Sequence, residues 1–73
     1  MTIAVTLNNV FVGSNEAVVV PLDTSFVQPE ASAVRESCSK ELKLLYPQHA
    51  LSSEYEIESI EKVISKIINA QQP

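Results

Sequence analysis

The chain begins with a strict alternation of apolar and polar residues. Over residues 2–7, Ile3, Val5 and Leu7 occupy every second position and small residues lie between them. This period of two is typical of a strand that buries one face. The pattern therefore predicts a first strand from Thr2 to Leu7.

The alternation slips by one residue at Asn8 and Asn9, because Val10 and Val12 carry the apolar pattern on even positions. Such a slip turns the following side chains to the opposite face and indicates a bulge or a tight turn. Residues 13–15, Gly-Ser-Asn, then separate two β-branched runs at the spacing of a hairpin loop. We expect the main hairpin turn there.

A second strand is predicted over residues 16–22, which are rich in valine on both faces. Pro21 lacks a backbone N–H, so it favours an edge strand or the end of a strand. Asp23, Thr24 and Ser25 follow as a loop. The two predicted strands together form an antiparallel hairpin.

An amphipathic helix is predicted from about Pro29 to Tyr46. Proline suits the first turn of a helix, and the proline after Tyr46 ends it. Apolar residues recur between these limits at spacings of three and four, which is the period of one helical face. The predicted buried stripe consists of Ala31, Val34, Cys38, Leu42 and Leu45.

A second helix is predicted from about Glu54 to Asn69, since residues 53–56, Ser-Glu-Tyr-Glu, match the S-x-x-E capping box. The alternation from Glu54 to Ile57 leaves another interpretation open, namely a short strand before a shorter helix. Residues 70–73 are expected to fray. The predicted buried stripe consists of Ile57, Ile60, Ile64 and Ile67, widened by Val63 and Ile68.

These elements predict one small α+β domain over residues 1–73. A β-hairpin, or three short strands, is followed by two amphipathic helices that pack on one face, in the order ββαα. The opposite face and the strand edges would then present valines, and open apolar edges invite pairing with another chain. The predicted interface of a homo-oligomer consists of Val10, Val12, Val18 and Val20.

Composition narrows the class of partner and the compartment. Five basic residues stand against nine acidic ones, and the basic residues are scattered singly, which argues against nucleic-acid binding. The single cysteine cannot form an intrachain disulfide, so a reducing compartment is expected. The sequence lacks the pattern of a signal peptide or a membrane span. We expect a cytoplasmic protein with no membrane partner.

Few residues suggest chemistry. His49 is the only histidine and has no Cys, Asp or Glu at metal-ligand spacing. Cys38 lies on the apolar stripe of the first helix, where a thiol behaves as a small buried hydrophobe. A single glycine cannot build a phosphate-binding loop. The sequence therefore predicts no enzyme, no metal site and no cofactor.

The favoured hypothesis is a non-enzymatic protein-interaction module. It would act as a homo-oligomer that binds a protein partner, in the manner of the small accessory or inhibitory factors that compact viral and bacterial genomes encode. One alternative is a protein that sequesters a small ligand or nucleotide between subunits; another is a structural subunit of a larger assembly. The candidate ligand contacts are Asn8, Asn9, Thr24, Arg35 and Lys40.

Overall fold

The computed structural model describes residues 1–72, which fold into one antiparallel sheet and two helices. The elements are β1 (Thr2–Asn8), β2 (Val18–Asp23), a 3-10 turn (Thr24–Phe26), α1 (Ala31–Leu45), β3 (Glu56–Ile57) and α2 (Ile60–Gln71). The strand order is β2-β1-β3, so β1 is the central strand. The predicted α+β class, with a hairpin, a third short strand and two helices, is confirmed.

The hairpin forms where the sequence predicts it. In its register Thr2 lies opposite Asp23 and Leu7 lies opposite Val18. In the connection, the Ser14 N–H donates to the Phe11 carbonyl over 3.1 Å, and Gly13 takes a φ of 80°. β2 begins two residues later than predicted, because residues 15–17 lie outside the ladder.

The predicted phase slip is centred on Asn9, which has a left-handed φ of 60°. Asparagine tolerates this conformation better than most residues. After the slip, the Val12 N–H donates to the Ala50 carbonyl over 3.1 Å, and Phe11 forms a bridge with Leu51. The chain after β1 is thereby attached to the loop that precedes β3.

The segment before α2 is extended rather than helical. Glu56 and Ile57 form β3 and pair with β1, and α2 begins only at Ile60. The predicted capping box at Ser53 is therefore wrong, and the alternative interpretation of a short strand is confirmed. The physical reason is that alternation buries Tyr55 and half-buries Ile57 against the rest of the fold.

The end of α2 is longer than predicted. The helix continues through Gln71, whose side-chain amide donates to the carbonyls of Thr24 and Val27, each over 2.9 Å. The predicted end of the helix at Asn69 is therefore two residues too early, since these bonds attach the last turn of the helix to the 3-10 turn. The fraying of residues 70–72 stays a prediction. Pro73, the end of the predicted tail, lies outside the described residues.

One face of the sheet and both helices form a single core. Its buried side chains are Val5, Leu7, Val10, Val18, Val20, Leu22, Val27, Val34, Cys38, Leu42, Tyr55, Val63 and Ile67. Each helix therefore contributes its buried stripe to the same side of the sheet. Ala31, Leu45 and Ile68 of the predicted stripes lie outside this core and are exposed.

The register corrects the predicted set of interface valines. Val10, Val18 and Val20 are at most 5% exposed, so their side chains belong to the core of the chain itself. The cause is that even-numbered residues of β2 share a face with odd-numbered residues of β1. Val12, in the loop, is 68% exposed, and Val19 is the outward-facing valine of β2 at 57%.

Candidate functional site

The sheet leaves one face uncovered, on the side opposite the helices. We call this surface the open face; it consists of Thr2, Ala4 and Thr6 from β1 and Val19, Pro21 and Asp23 from β2. Asp23 is the charged member of this set, and all except the half-buried Thr6 are exposed. β1 is about 20 Å long and adjacent strands lie about 4.8 Å apart. The open face is thus a flat strip whose charge lies at one end, at Asp23.

The outer edge of β2 has no strand partner within residues 1–72. The Thr24 N–H donates to the Met1 carbonyl over 2.9 Å, which sets the phase of the ladder. In antiparallel pairing the hydrogen-bonded positions alternate, so Val19, Pro21 and Asp23 turn their backbone groups outward. Pro21, which has no N–H, occupies one of these outward positions. The ladder with β1 therefore loses no hydrogen bond. The prediction that Pro21 marks an edge is confirmed.

A cavity of about 260 Å³ opens beside this free edge. We call it the edge groove; it lies between the end of β2, the 3-10 turn and α1. Residues of β1 and β3 do not line it, so it faces away from the centre of the sheet. Its lining includes Leu22, Asp23, Phe26, Val27, Lys40 and Glu41.

Two apolar side chains near the edge groove are left in solvent. Phe26, on the wall of the groove, is 85% exposed, and Leu44 is 75% exposed. Leu44 lies three and four residues after Glu41 and Lys40, so it continues their face along α1. Exposed apolar side chains that cluster on one part of a surface are typical of a binding site.

Tyr55 fixes the segment before β3 against α1. Its hydroxyl donates to the Arg35 carbonyl over 2.7 Å and lies 2.6 Å from the Ser39 hydroxyl. In return, the Arg35 guanidinium donates to the Tyr55 carbonyl over 2.9 Å and lies 5.2 Å from the centre of the ring. Burial raises the pKa of Tyr55, while the Ser39 hydrogen bond opposes the rise. The interlocked pair holds β3 beside β1.

Cys38 is fully buried between the helix and the sheet, as its position on the apolar stripe predicts. Burial raises the pKa of its thiol to about 11, because the thiolate would lose its hydration. The nearby positive charge of Arg35 offsets only part of this effect. The reactive thiolate is therefore scarce at neutral pH.

We expect Cys38 in the native protein to react slowly with a thiol-labelling reagent at pH 8 and quickly in denaturant. The measurement is the rate of label incorporation by mass spectrometry.

Raising the pH should destabilise the fold above about pH 9, because the unfolded thiol ionises there while the folded one stays protonated. A Cys38→Ala variant should not show the loss of stability that ionisation of this thiol causes. Rapid native labelling would contradict a structural role for the thiol.

His49 belongs to an aromatic cluster. Its ring centre lies 5.1 Å from that of Phe11 and 5.4 Å from that of Tyr46, and the latter two are 5.1 Å apart. The cluster packs the end of α1 against the loop after β1. Within the described part of the chain, no three His, Cys, Asp or Glu side chains are grouped so as to hold a metal ion.

The five predicted ligand contacts do not come together. Asn8 and Asn9 lie at one end of β1, whereas Thr24 is bound to Met1 at the other, about 20 Å away. Thr24 is buried and donates its hydroxyl to the Met1 carbonyl. Arg35 contacts Tyr55, and Lys40 lies 3.7 Å from Glu36 on the outer side of α1. No single pocket is built from this set.

No known family model matches the sequence, and no curated protein or solved structure is significantly similar to the chain. Among residues 1–72, no helix is both long enough and apolar enough to cross a bilayer.

The sequence patterns did not predict which apolar residues are exposed on the open face and near the edge groove. Val19 could not be assigned to a face, because valines occupy three successive positions of β2. Leu44 did carry a signal, since it is an apolar residue outside the predicted stripe of α1. Phe26 carried a weaker signal, as a single aromatic residue directly after the predicted loop.

Proposed function

We propose that this chain is a non-enzymatic protein-interaction module that assembles as a homo-oligomer and binds a protein partner. The observation that carries the proposal is the open face. Both helices contribute to the core on one side of the sheet, so Ala4, Val19 and Pro21 on the other side remain in contact with water. Hiding such a surface against a second protein surface is favourable by about 25 cal/mol per Å².

Charges around the open face favour a second copy as one occupant. Lys62, Lys66 and Glu58 line a cavity with Ala4 and Thr6 along the β1 side, so two lysines and one glutamate border the face there. Asp23 lies at the end of β2, on the opposite side of the face. A two-fold axis parallel to the strands places β2 of each copy over β1 of the other. The basic border of one copy then meets Asp23 of its mate, as complementary interfaces require.

The small size of the open face sets the expected affinity. Two strands about 20 Å long and about 4.8 Å apart cover a projected area on the order of 200 Å². Stable interfaces bury about 800 Å² of accessible surface on each partner. We therefore propose a weak, concentration-dependent oligomer, which suits a module that exchanges partners.

Val19→Lys should shift the protein towards the monomer without unfolding it. The side chain is exposed, so the charge stays hydrated in the monomer, whereas in the oligomer it would be buried within the contact. We expect the dissociation constant of self-association to rise at least about tenfold. The measurement is sedimentation equilibrium over a dilution series, with circular dichroism to confirm that the fold is retained.

Val12→Lys is the matched control, because Val12 is exposed to a similar degree but lies in the loop beyond β1. It should leave the association constant unchanged. A mass near 8.0 kDa at every concentration of the unmodified chain would refute self-association. An equal effect of both substitutions would instead show that the contact is not on the open face.

The partner and the compartment belong to the same proposal. Accessory or inhibitory binding needs a surface that self-association leaves free, and of the residues that line the edge groove only Asp23 also lies on the open face. The cytoplasmic location expected from composition stays a prediction, and the buried free thiol of Cys38 is compatible with it.

A further inference from the structure

We propose that the edge groove binds an extended, basic segment of a partner protein, which adds as an antiparallel strand to the free edge of β2. This inference rests on the proposed function and names the chemistry of the partner. An edge strand beside a helix offers two kinds of contact to an extended peptide. The strand supplies backbone hydrogen bonds, and the space under the helix accepts a side chain.

The backbone groups at the free edge fit such a segment. Val19 and Asp23 each turn an N–H and a carbonyl outward, while Pro21 offers a carbonyl alone. An added strand would thus gain every bond of a regular ladder except the one that Pro21 cannot donate. The missing donor weakens pairing without preventing it, which also protects the free edge from uncontrolled aggregation.

The edge groove supplies an apolar anchor site. Leu22 and Val27 are buried beneath it, and the ring of Phe26 forms a wall that is 85% exposed. A cavity of about 260 Å³ accepts one aliphatic or aromatic side chain of the added strand. Covering the ring of Phe26 would remove one of the largest exposed apolar side chains from water.

Charge favours a basic segment. Asp23 and Glu41 are both among the residues that line the edge groove, the Asp23 carboxylate accepts the Ser25 N–H, and the chain carries a net charge of −4. The only basic side chain in the lining is Lys40, which already lies 3.7 Å from Glu36. Lysine or arginine beside the apolar anchor of the partner would therefore meet uncompensated negative charge.

The geometry disfavours a second copy in this groove. α1 packs mainly on β2, so it lies near the free edge. Pairing β2 with β2 of a two-fold mate would put both copies of α1 on one side of the joined sheet. Adjacent strands are about 4.8 Å apart, but packed helices need about 8–10 Å between their axes. A single extended segment carries no helix and meets no such clash.

The test is a selection of random dodecapeptides from a display library against the full chain. We expect enriched peptides to alternate apolar residues with Lys or Arg. With the most enriched peptide, the amide resonances of Val19 and Asp23 should shift most in nuclear magnetic resonance spectra of the labelled chain. Raising the salt concentration should weaken binding, because the carboxylates lie at the surface.

Two substitutions should change the affinity in opposite directions. Phe26→Ser removes the wall of the anchor site and should weaken peptide binding about tenfold. Pro21→Ala restores the missing donor and should strengthen binding by about two- to tenfold, as one additional hydrogen bond allows. Val12→Ser, which removes another exposed apolar side chain outside the lining of the groove, should change nothing.

The inference is overturned if no peptide is enriched, if enriched peptides are acidic, or if the shifted amides lie outside β2 and α1. It is also overturned if Phe26→Ser binds as well as the unmodified chain. A failed selection together with self-association that Val19→Lys abolishes would reject the peptide site and leave the proposed function intact. Failure of both experiments would reject the function as well.

Discussion

Val20→Lys should abolish the folded state. Val20 is fully buried and faces Val5 at the middle of the β1–β2 ladder. Burying a lysine charge there costs several kcal/mol, and the loss of valine packing adds to it. A chain of 73 residues has a total stability of only about 4–11 kcal/mol, at roughly 0.05–0.15 kcal/mol per residue. A thermal scan by circular dichroism should therefore show no cooperative transition.

Val19→Lys is the matched control for this experiment as well, since it puts the same charge one residue away on the other face. It should retain a cooperative transition near that of the unmodified protein. The pair tests the register directly, because a one-residue slip would exchange the two outcomes. A folded Val20→Lys protein that merely fails to oligomerise would show that Val20 lies at an interface.

Tyr55→Ala should lower the free energy of unfolding by about 3–5 kcal/mol, the range for removing a buried aromatic side chain. Tyr55→Phe keeps the ring but leaves the Arg35 carbonyl and the Ser39 hydroxyl without their partner. It should cost about 1–3 kcal/mol. Urea denaturation followed by circular dichroism measures both losses as shifts of the unfolding midpoint.

Tyr46→Phe provides the comparison. Tyr46 is half-buried and contributes its ring to the aromatic cluster, and its hydroxyl makes no hydrogen bond within residues 1–72. Its removal should change stability by less than about 0.5 kcal/mol. Equal losses from the two Tyr→Phe substitutions would mean that the hydroxyl of Tyr55 does not fix β3 to α1.

Most elements of the fold follow from local patterns. The period of two in β1, the glycine in the hairpin and the spacing of Val34, Cys38 and Leu42 in α1 each lead to the observed structure. These patterns work because each element buries one continuous face, so the chain must repeat its apolar residues at the period of that element. The limits of α1 are also close to those predicted.

The beginning of α2 could not be predicted in the same way. Residues 53–57 satisfy both the capping box and a strand alternation, and local propensity does not decide between them. Tertiary contacts select the strand. The Tyr55 hydroxyl bonds to Arg35 and Ser39, and Ile57 pairs with Leu7. Those contacts join residues that are distant in sequence.

The candidate site was predictable only in part. Pro21 correctly indicated an edge strand, because its missing N–H is a local property. The face of the valines was not predictable, since Val18, Val19 and Val20 suit either side of a strand until pairing with β1 fixes the register. The edge groove depends on how α1 packs on β2, which no local pattern describes.

The central position of β1 has a consequence for synthesis on the ribosome. β2 and α1 emerge before β3 and α2, and the second edge of β1 is covered only when β3 follows. During that interval the nascent chain exposes two strand edges, and exposed edges pair readily with other chains. Closing the long loop to β3 costs little additional entropy, because this cost grows only with the logarithm of loop length. The order of synthesis therefore makes the nascent chain more vulnerable to aggregation than the finished protein, with the pairing of β3 to β1 as the step that ends this period.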